Sequence, residues 1–192
     1  LSAEVTIEPS LKRKEAIMSN VVHTVDILVT DDQRRVLLVE RGKEPFKGKL
    51  VLPGGHVDSQ DYVRARAAPA EALRVSPGRS TASWSAREAE APLRAMAERF
   101  AAVRELAEET GVVVEPGELW FHLELNRAGR DPRGRYVSRL YGVGLPPEQS
   151  AERLATARPG SDAKRVVLRD WETVREDEMG FDHYDAILLL QD

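Results

Sequence analysis

The chain contains no cysteine. Disulfide scaffolds, thiolate zinc sites and cysteine nucleophiles are therefore excluded, and this usage suits a cytoplasmic protein. No apolar run approaches the ~18 residues of a membrane span, and the opening stretch, LSAEVTIEPSLKRKE, lacks the apolar core of a signal peptide. The expectation is a soluble, intracellular protein with no membrane partner. Positive charge is not in excess either. With a net charge of −4 and a pI of about 5.7, nothing in the overall balance favours nucleic acid, and a small anionic metabolite is the more natural partner. Internal repeats and coiled-coil heptads are also missing.

What is present fits one domain: 192 residues with 42% apolar content suffice for a sizeable core. Residues 1–19 are polar, with Pro9 and a basic LKRK cluster, and read as an arm or an extra strand before a domain over 20–192. Segments 21–30 and 35–40 flank Asp31, Asp32 and Gln33 as a β-hairpin would, and a short strand at 50–52 runs into Pro53-Gly54-Gly55. Between about 62 and 96 the composition turns to Ala, Arg, Ser and Pro, with Pro69, Pro77, Gly78 and Pro92 interrupting any long helix. This stretch reads as an exposed insertion, with helical character at 70–75 and 85–91. Further on, strands are expected at 119–125, 136–143 and 165–169, a long loop at 146–164, a short helix at 172–178 and a C-terminal helix at 183–190. The fold class is α+β with a mixed sheet.

The most informative segment is AAVRELAEETG at 101–111. At helical spacing Glu105, Glu108 and Glu109 fall within an arc of about 100°, opposite Phe100, Val103, Leu106 and Ala107, and Gly111 is placed as a C-terminal cap. Such an acidic outer face is either simply solvated or neutralised by a cation, since like charges at this spacing repel by about a few tenths of a kcal/mol. The glycine-rich turn LPGGHVD at 52–58 favours the cation, because acids facing a tight turn are suited to hold magnesium against a diphosphate.

Together, PGGHVD and RELAEETG resemble the signature of the Nudix hydrolases, G-x5-E-x7-R-E-U-x-E-E-x-G-U with U aliphatic, in a likeness that covers most of the chain from residue 20. Arg104, Glu105, Leu106, Glu108, Glu109, Gly111 and Val112 match every defined position of its second half. Gly55 fits the opening glycine, but it lies 49 positions from Arg104 where the pattern has 14, so 35 extra residues split the box. Counting forward puts Asp61 where the family has Glu; counting back puts Met96 there. Glu98, on the same helix as Arg104, is the favoured substitute, with Asp61 second. The resemblance implies an α/β/α sandwich, Mg²⁺ (with Mn²⁺ as the alternative) held by Glu105, Glu108, Glu109 and the Gly55 carbonyl, and Arg104 orienting Glu105 and its neighbours. It also implies a homodimer.

Four further segments resemble the ADP-ribose pyrophosphatase branch of that family: ERGKEPFKGKLVLPGG at 40–55, DPRGRYVSRLYGV at 131–143, PGSDAKRVVL at 159–168 and GFDHYDAIL at 180–188. The implied activity is hydrolysis of ADP-ribose to AMP and ribose 5-phosphate. The alternatives are a broader nucleotide-sanitising or nucleotide-sugar pyrophosphatase, and a Nudix-like module that binds nucleotide without cleaving it. Arg41 is a candidate for pairing with a phosphate or an ordinary surface arginine. His56 is a substrate contact or a structural hydrogen bond. Arg133 and Arg135 bind phosphate or solvate a hairpin, while Phe46, Trp120 and Tyr136 stack on a base or pack. For the general base the candidates are Asp162, which matches the branch motif, and Glu148 and Glu152; Glu108 is a further catalytic candidate and His183 reads as structural.

Overall fold

The computed structural model describes residues 21–68, 92–155, 157–160 and 163–191. The N-terminal stretch 1–19, the middle of the expected insertion at 69–91, and Asp162 lie outside the described residues.

Strands β1 (Val22–Asp31) and β2 (Arg35–Arg41) form the expected antiparallel hairpin, with Thr30 paired to Val36. Asp31 closes the turn: its Oδ1 accepts the backbone N–H groups of Gln33 and Arg35, each at 2.9 Å. The short strands β3 (Leu50–Val51) and β4 (Gly54–His56) follow, then β5 (Trp120–Leu125), β6 (Tyr136–Leu145) and β7 (Ala163–Asp170). The sheet runs β3-β2-β1-β6-β5, with β4 added on β1 and β7 on β2. It is mixed because β1 and β6 run parallel from Val22↔Tyr136 to Asp31↔Leu145, whereas the other strand pairs are antiparallel.

Alternation along β1 separates two cores. Val25, Ile27 and Val29 face Ala101, Ala102 and Leu106 of a long helix, α2 (Pro92–Thr110); Leu28 faces Ala186 and Ile187 of the last helix, α4 (His183–Leu188). The result is the expected α/β/α sandwich, each fully buried Leu or Ile contributing roughly 1.5–3 kcal/mol.

Several boundaries differ from expectation. The stretch 62–96 is not one excursion, since its beginning lies in helix α1 (Ser59–Ala67) and its end in the first turns of α2. Ala65 of α1 packs on Met96 and Ala97 of α2, so both ends belong to the domain. Pro92 opens a helix rather than breaking one, which is where a missing N–H costs nothing. The expected loop at 146–164 contains helix α3 (Pro147–Ala155), started by N–H bonds from Gln149 and Ser150 to the Pro146 carbonyl and anchored by Leu154 on the core. The short helix expected at 172–178 is two 3-10 turns, Trp171–Thr173 and Glu176–Glu178, because the buried Val174 between them is extended. Gly54 and Gly55 lie in a strand rather than a turn. Among the described residues no helix is long and apolar enough to cross a membrane.

Candidate functional site

Two of the three acids on the acidic face of α2 are turned toward the sheet. The helix packs on the sheet through Ala101, Ala102 and Leu106, which leaves Glu105 and Glu109, one turn apart, to face β4. Glycine makes that approach possible. A Cβ on Gly55 would overlap the Glu105 carboxylate, and one on Gly54 would overlap the Val25 carbonyl. Glu109 Oε2 accepts the Gly54 N–H at 3.0 Å. Of the acids expected on an outer face beside the glycine-rich segment, Glu105 and Glu109 stand against β4 and Glu108 is exposed.

Arg104 ties the two chain segments together. Its Nη2 donates to Asp61 Oδ2 at 2.9 Å and to the His56 carbonyl at 2.9 Å, while Nη1 donates to Glu105 Oε1 at 2.8 Å and to Glu108 Oε2 at 3.3 Å. Asp61 is fully buried and also accepts the Asp58 N–H at 2.9 Å, which closes a capping box at the start of α1. These partners, the Asp61 hydrogen bond first, raise the Arg104 pKa. The preference for Glu98 is corrected. Although on the same helix, Glu98 points the other way, into the core, where it bonds Arg94 Nε at 2.7 Å and pairs with Arg139 at 3.2 Å.

These elements border a cavity of about 340 Å³. Glu105, Glu109, Gly54 and Gly55 form one wall, with Arg41, His56, Arg133, Tyr136 and Phe181 elsewhere around it. Burial pushes the Glu105 carboxyl up despite Arg104 beside it, and pushes Glu109 up to about 7, the Gly54 N–H opposing and the Glu105 charge adding to the rise. Two half-buried carboxylates with strained ionisation, next to a glycine backbone, make a hard oxygen donor set of the kind magnesium takes. Among the described residues no three acid or imidazole groups already converge on one point. Glu108, expected as ligand and catalytic group, does not line the cavity; its side chain is 59% exposed and bonded to Arg104.

The remaining predicted residues divide. Arg41, at the end of β2, lines the cavity with its Nε donating to the Pro45 carbonyl at 2.6 Å. Arg133 also lines it, held by Asp131, whereas Arg135 donates to the Asn126 carbonyl at 2.7 Å and braces the hairpin. His56 faces the cavity, and its structural hydrogen bond is made by its carbonyl, not its ring. Tyr136 is in the lining; Phe46 packs behind it on Phe181, ring centroids 4.7 Å apart, and Trp120 is away on β5, bonded to His122 at 2.7 Å. Glu148 and Glu152 on α3 are exposed and outside the cavity lining.

A buried group that sequence reading missed backs the cavity. Arg130 is held by Asp182 at 2.7 Å and by Asp26 at 3.2 Å, and Asp26 Oδ2 lies 3.3 Å from His183 Nε2. The Leu52 N–H donates to His183 Nδ1 at 3.0 Å, so the ring carries its proton on Nε2 and donates it to Asp26. Burial alone would raise the Asp26 pKa, but His183 and Arg130 outweigh it and hold the carboxyl at about 2. The available signal was an acid in the middle of an apolar strand, VHTVDILVTD, which has to find a buried partner. His183, read as structural, has that role at the cavity wall.

Residues 22–71 match the family model described as NUDIX domain, a span from β1 through α1. Among solved structures the fold is similar to a MutT/nudix family protein from Enterococcus faecalis, at 20% identity and TM-score 0.58, over 95% of this chain and 67% of that one. It is similar to the NUDIX domain of Shewanella oneidensis NrtR complexed with ADP ribose, at 21% identity and TM-score 0.57, over 93% and 96%. A third is a bifunctional NMN adenylyltransferase/ADP ribose pyrophosphatase from Francisella tularensis complexed with AMP and Mn ion, at 20% identity and TM-score 0.54, over 94% of this chain and 45% of that one. No curated protein sequence matches the chain. At these identities what is shared is the fold, and the likeness to the Nudix superfamily read from the split signature holds at that level.

Proposed function

We propose that the chain is a divalent-metal-dependent pyrophosphohydrolase that cleaves ADP-ribose to AMP and ribose 5-phosphate. The observation that carries the reading is one cavity with Glu105 and Glu109 against Gly54–Gly55 on one wall and Arg41 and Arg133 also in its lining. Two of the similar structures support the substrate class, one holding ADP ribose and one, an ADP ribose pyrophosphatase, holding AMP and Mn ion.

Glu105, Glu109 and the Gly55 carbonyl would hold Mg²⁺ or Mn²⁺, with Glu108 joining by leaving Arg104. When bound, such an ion neutralises phosphoryl charge and lowers the pKa of water. The chain's own residues supply the rest. Arg104, seated by Asp61, fixes the Glu105 carboxylate so that its second oxygen serves the cavity. Arg41 and Arg133 present guanidinium groups that pair with phosphate oxygens. His56 lies beside the same space. The attacking water adds to one phosphorus, the bridging P–O bond breaks, AMP and ribose 5-phosphate separate, and a carboxylate takes the water's proton. We assign that base to Asp162, two positions after Gly160 in the chain. The absence of cysteine fits a cytoplasmic setting.

The test is mononucleotide release from a panel of diphosphates, with Mg²⁺ and with Mn²⁺, for wild type and Glu109→Gln. The expected result is preferential AMP release from ADP-ribose, lost in the variant. Equal turnover of nucleoside triphosphates and other nucleotide sugars would favour the broader sanitising enzyme. Binding of ADP-ribose without AMP release under either ion would sink the hydrolase reading and leave a nucleotide-binding module.

A further inference from the structure

Phe181 stands where two cations meet. Arg41, from the end of β2, places its guanidinium carbon 5.0 Å from the centre of the Phe181 ring; Arg133, from the loop before β6, lies between two rings, 4.7 Å from the centre of Tyr136 and 6.0 Å from that of Phe181. The arginines come from different elements, and each is tethered from behind: Arg41 Nε to the Pro45 carbonyl at 2.6 Å, and Arg133 Nε to Asp131 Oδ1 at 3.0 Å. Asp131 is itself buried and its pKa is held low: burial would raise it, but the bonds from Arg133 outweigh that. Both guanidinium groups thus converge on one cavity lip, where they repel each other. The negative face of an aromatic ring is a means of holding cations there without neutralising them, as a carboxylate would.

The backbone beneath Phe181 is built to present it. Phe181 and its ring partner Phe46 adopt φ of 56° and 63°, a left-handed conformation that ordinary side chains disfavour by roughly 1–2 kcal/mol per residue. Such outliers persist only when their surroundings over-determine them. Here they do so on both sides. The Gly180 N–H donates to the Leu50 carbonyl at 2.8 Å, and a Cβ on Gly180 would come within 2.9 Å of Phe46 Cβ. After Phe181, Asp182 clamps Arg130 and His183 receives the Leu52 N–H. Phe46 lies 4.7 Å from the ring and His183 5.2 Å, so rings as well as guanidinium groups pack around Phe181 at the cavity lining.

We propose that Phe181 is a positioning residue that seats Arg41 and Arg133 as a two-pronged clamp for the diphosphate of the substrate. The inference rests on the diphosphate reading of this cavity and deepens it. Glu105 and Glu109 line the same cavity, so a diphosphate held there meets the cationic donors of the clamp as well as the acid pair with its cation. Phe181 acts through the arginines and not on the nucleoside. Its removal therefore weakens ligands with and without a base alike.

The experiment measures binding of inorganic pyrophosphate and of ADP-ribose by calorimetry, with Ca²⁺ to slow turnover, for wild type, Phe181→Leu, Phe181→Met and Phe181→Tyr. Phe181→Met keeps the apolar bulk without the ring, so one non-aromatic variant remains should Phe181→Leu not fold. Both non-aromatic variants should lose roughly 5- to 10-fold in affinity for each ligand, with Phe181→Tyr within about twofold of wild type. In turnover the same factor should appear in KM, with kcat nearly unchanged. A loss confined to ADP-ribose would show a base-stacking role and overturn the proposal; so would unchanged pyrophosphate affinity, or a wild type that binds no pyrophosphate. Because binding needs no turnover, a wild type that holds pyrophosphate through Phe181 yet releases no AMP would refute the hydrolase reading alone.

Discussion

Arg104 and Asp61 form a two-point ion pair, Nη2 to Oδ2 at 2.9 Å and Nε to Oδ1 at 3.3 Å, across 43 positions of chain. This pair restores in space what the extra residues separate in sequence. The carboxylate is one methylene shorter than the glutamate of the family pattern, yet it reaches because α1 begins just before it and lays Asp61 against α2. Asp61→Ala should therefore destabilise the fold by about 3 kcal/mol, the scale for a buried pair robbed of one partner. Urea unfolding measures this, and mononucleotide release should fall with it as Glu105 loses its guide. Glu98→Gln, made in parallel, should reduce stability while leaving KM unaltered, because its partners Arg94 and Arg139 are not in the cavity lining.

Much of this arrangement was legible in the sequence wherever local chemistry decided it. The 31–33 turn residues pointed to the hairpin, and the spacing of Glu105 and Glu109 put them on one helix face facing the glycine-rich segment. Counting forward from Gly55 reached Asp61 correctly, whereas shared helix membership pointed wrongly to Glu98; sharing a helix says nothing about sharing a face. The Asp26–His183 contact and the Phe181 lip could not be read. They join the first described strand to the last helix, ends of the chain that the pairing of β7 on β2 and the bond from the Gly180 N–H to the Leu50 carbonyl help bring together.

Gly160 provides a second joint. Its N–H donates to the Glu109 carbonyl at 2.9 Å, and the Arg158 N–H donates to the Thr110 carbonyl at 2.8 Å, so the late loop satisfies the open end of the acidic helix. A Cβ on Gly160 would overlap the Glu108 carbonyl oxygen, which is backbone and cannot swing aside. Gly160→Ala is expected to cost about 1–3 kcal/mol and to lower kcat more than it raises KM. Thermal melts and steady-state kinetics on the same preparation check both halves.

The Asp26 carboxyl, held at about 2 against an ordinary 3.8, sets a pH signature. A group whose folded pKa is depressed adds stability above its unfolded value and loses it as pH falls through the folded one. The contribution, on the order of 2 kcal/mol, should be complete above pH 4 and fade between about 4 and 2. Asp26→Asn should thus be less stable than wild type at pH 6, with the gap closing toward pH 2. A gap that stayed constant across that window would show that packing, not charge, is what Asp26 supplies.

Glu109 offers the reverse case, a carboxylate whose surroundings oppose its charge. It is half-buried and desolvated, the Glu105 charge adds to the cost, and the Gly54 N–H and the more distant Arg41 favour its ionised form. Without metal at pH 8 that charge is a liability to the fold, so Glu109→Gln should raise the melting temperature, by roughly 2–4 °C for each kcal/mol relieved in a chain of this size. With excess Mg²⁺ the order should invert. Wild type gains stability by binding the ion only when folded, about 2.7 kcal/mol at a hundredfold excess over Kd, while the variant, deprived of a ligand oxygen charge, gains little. Melting curves with and without excess Mg²⁺ read both effects at once. An equal magnesium-induced shift in the two proteins would remove Glu109 from the metal site, whatever its effect on turnover.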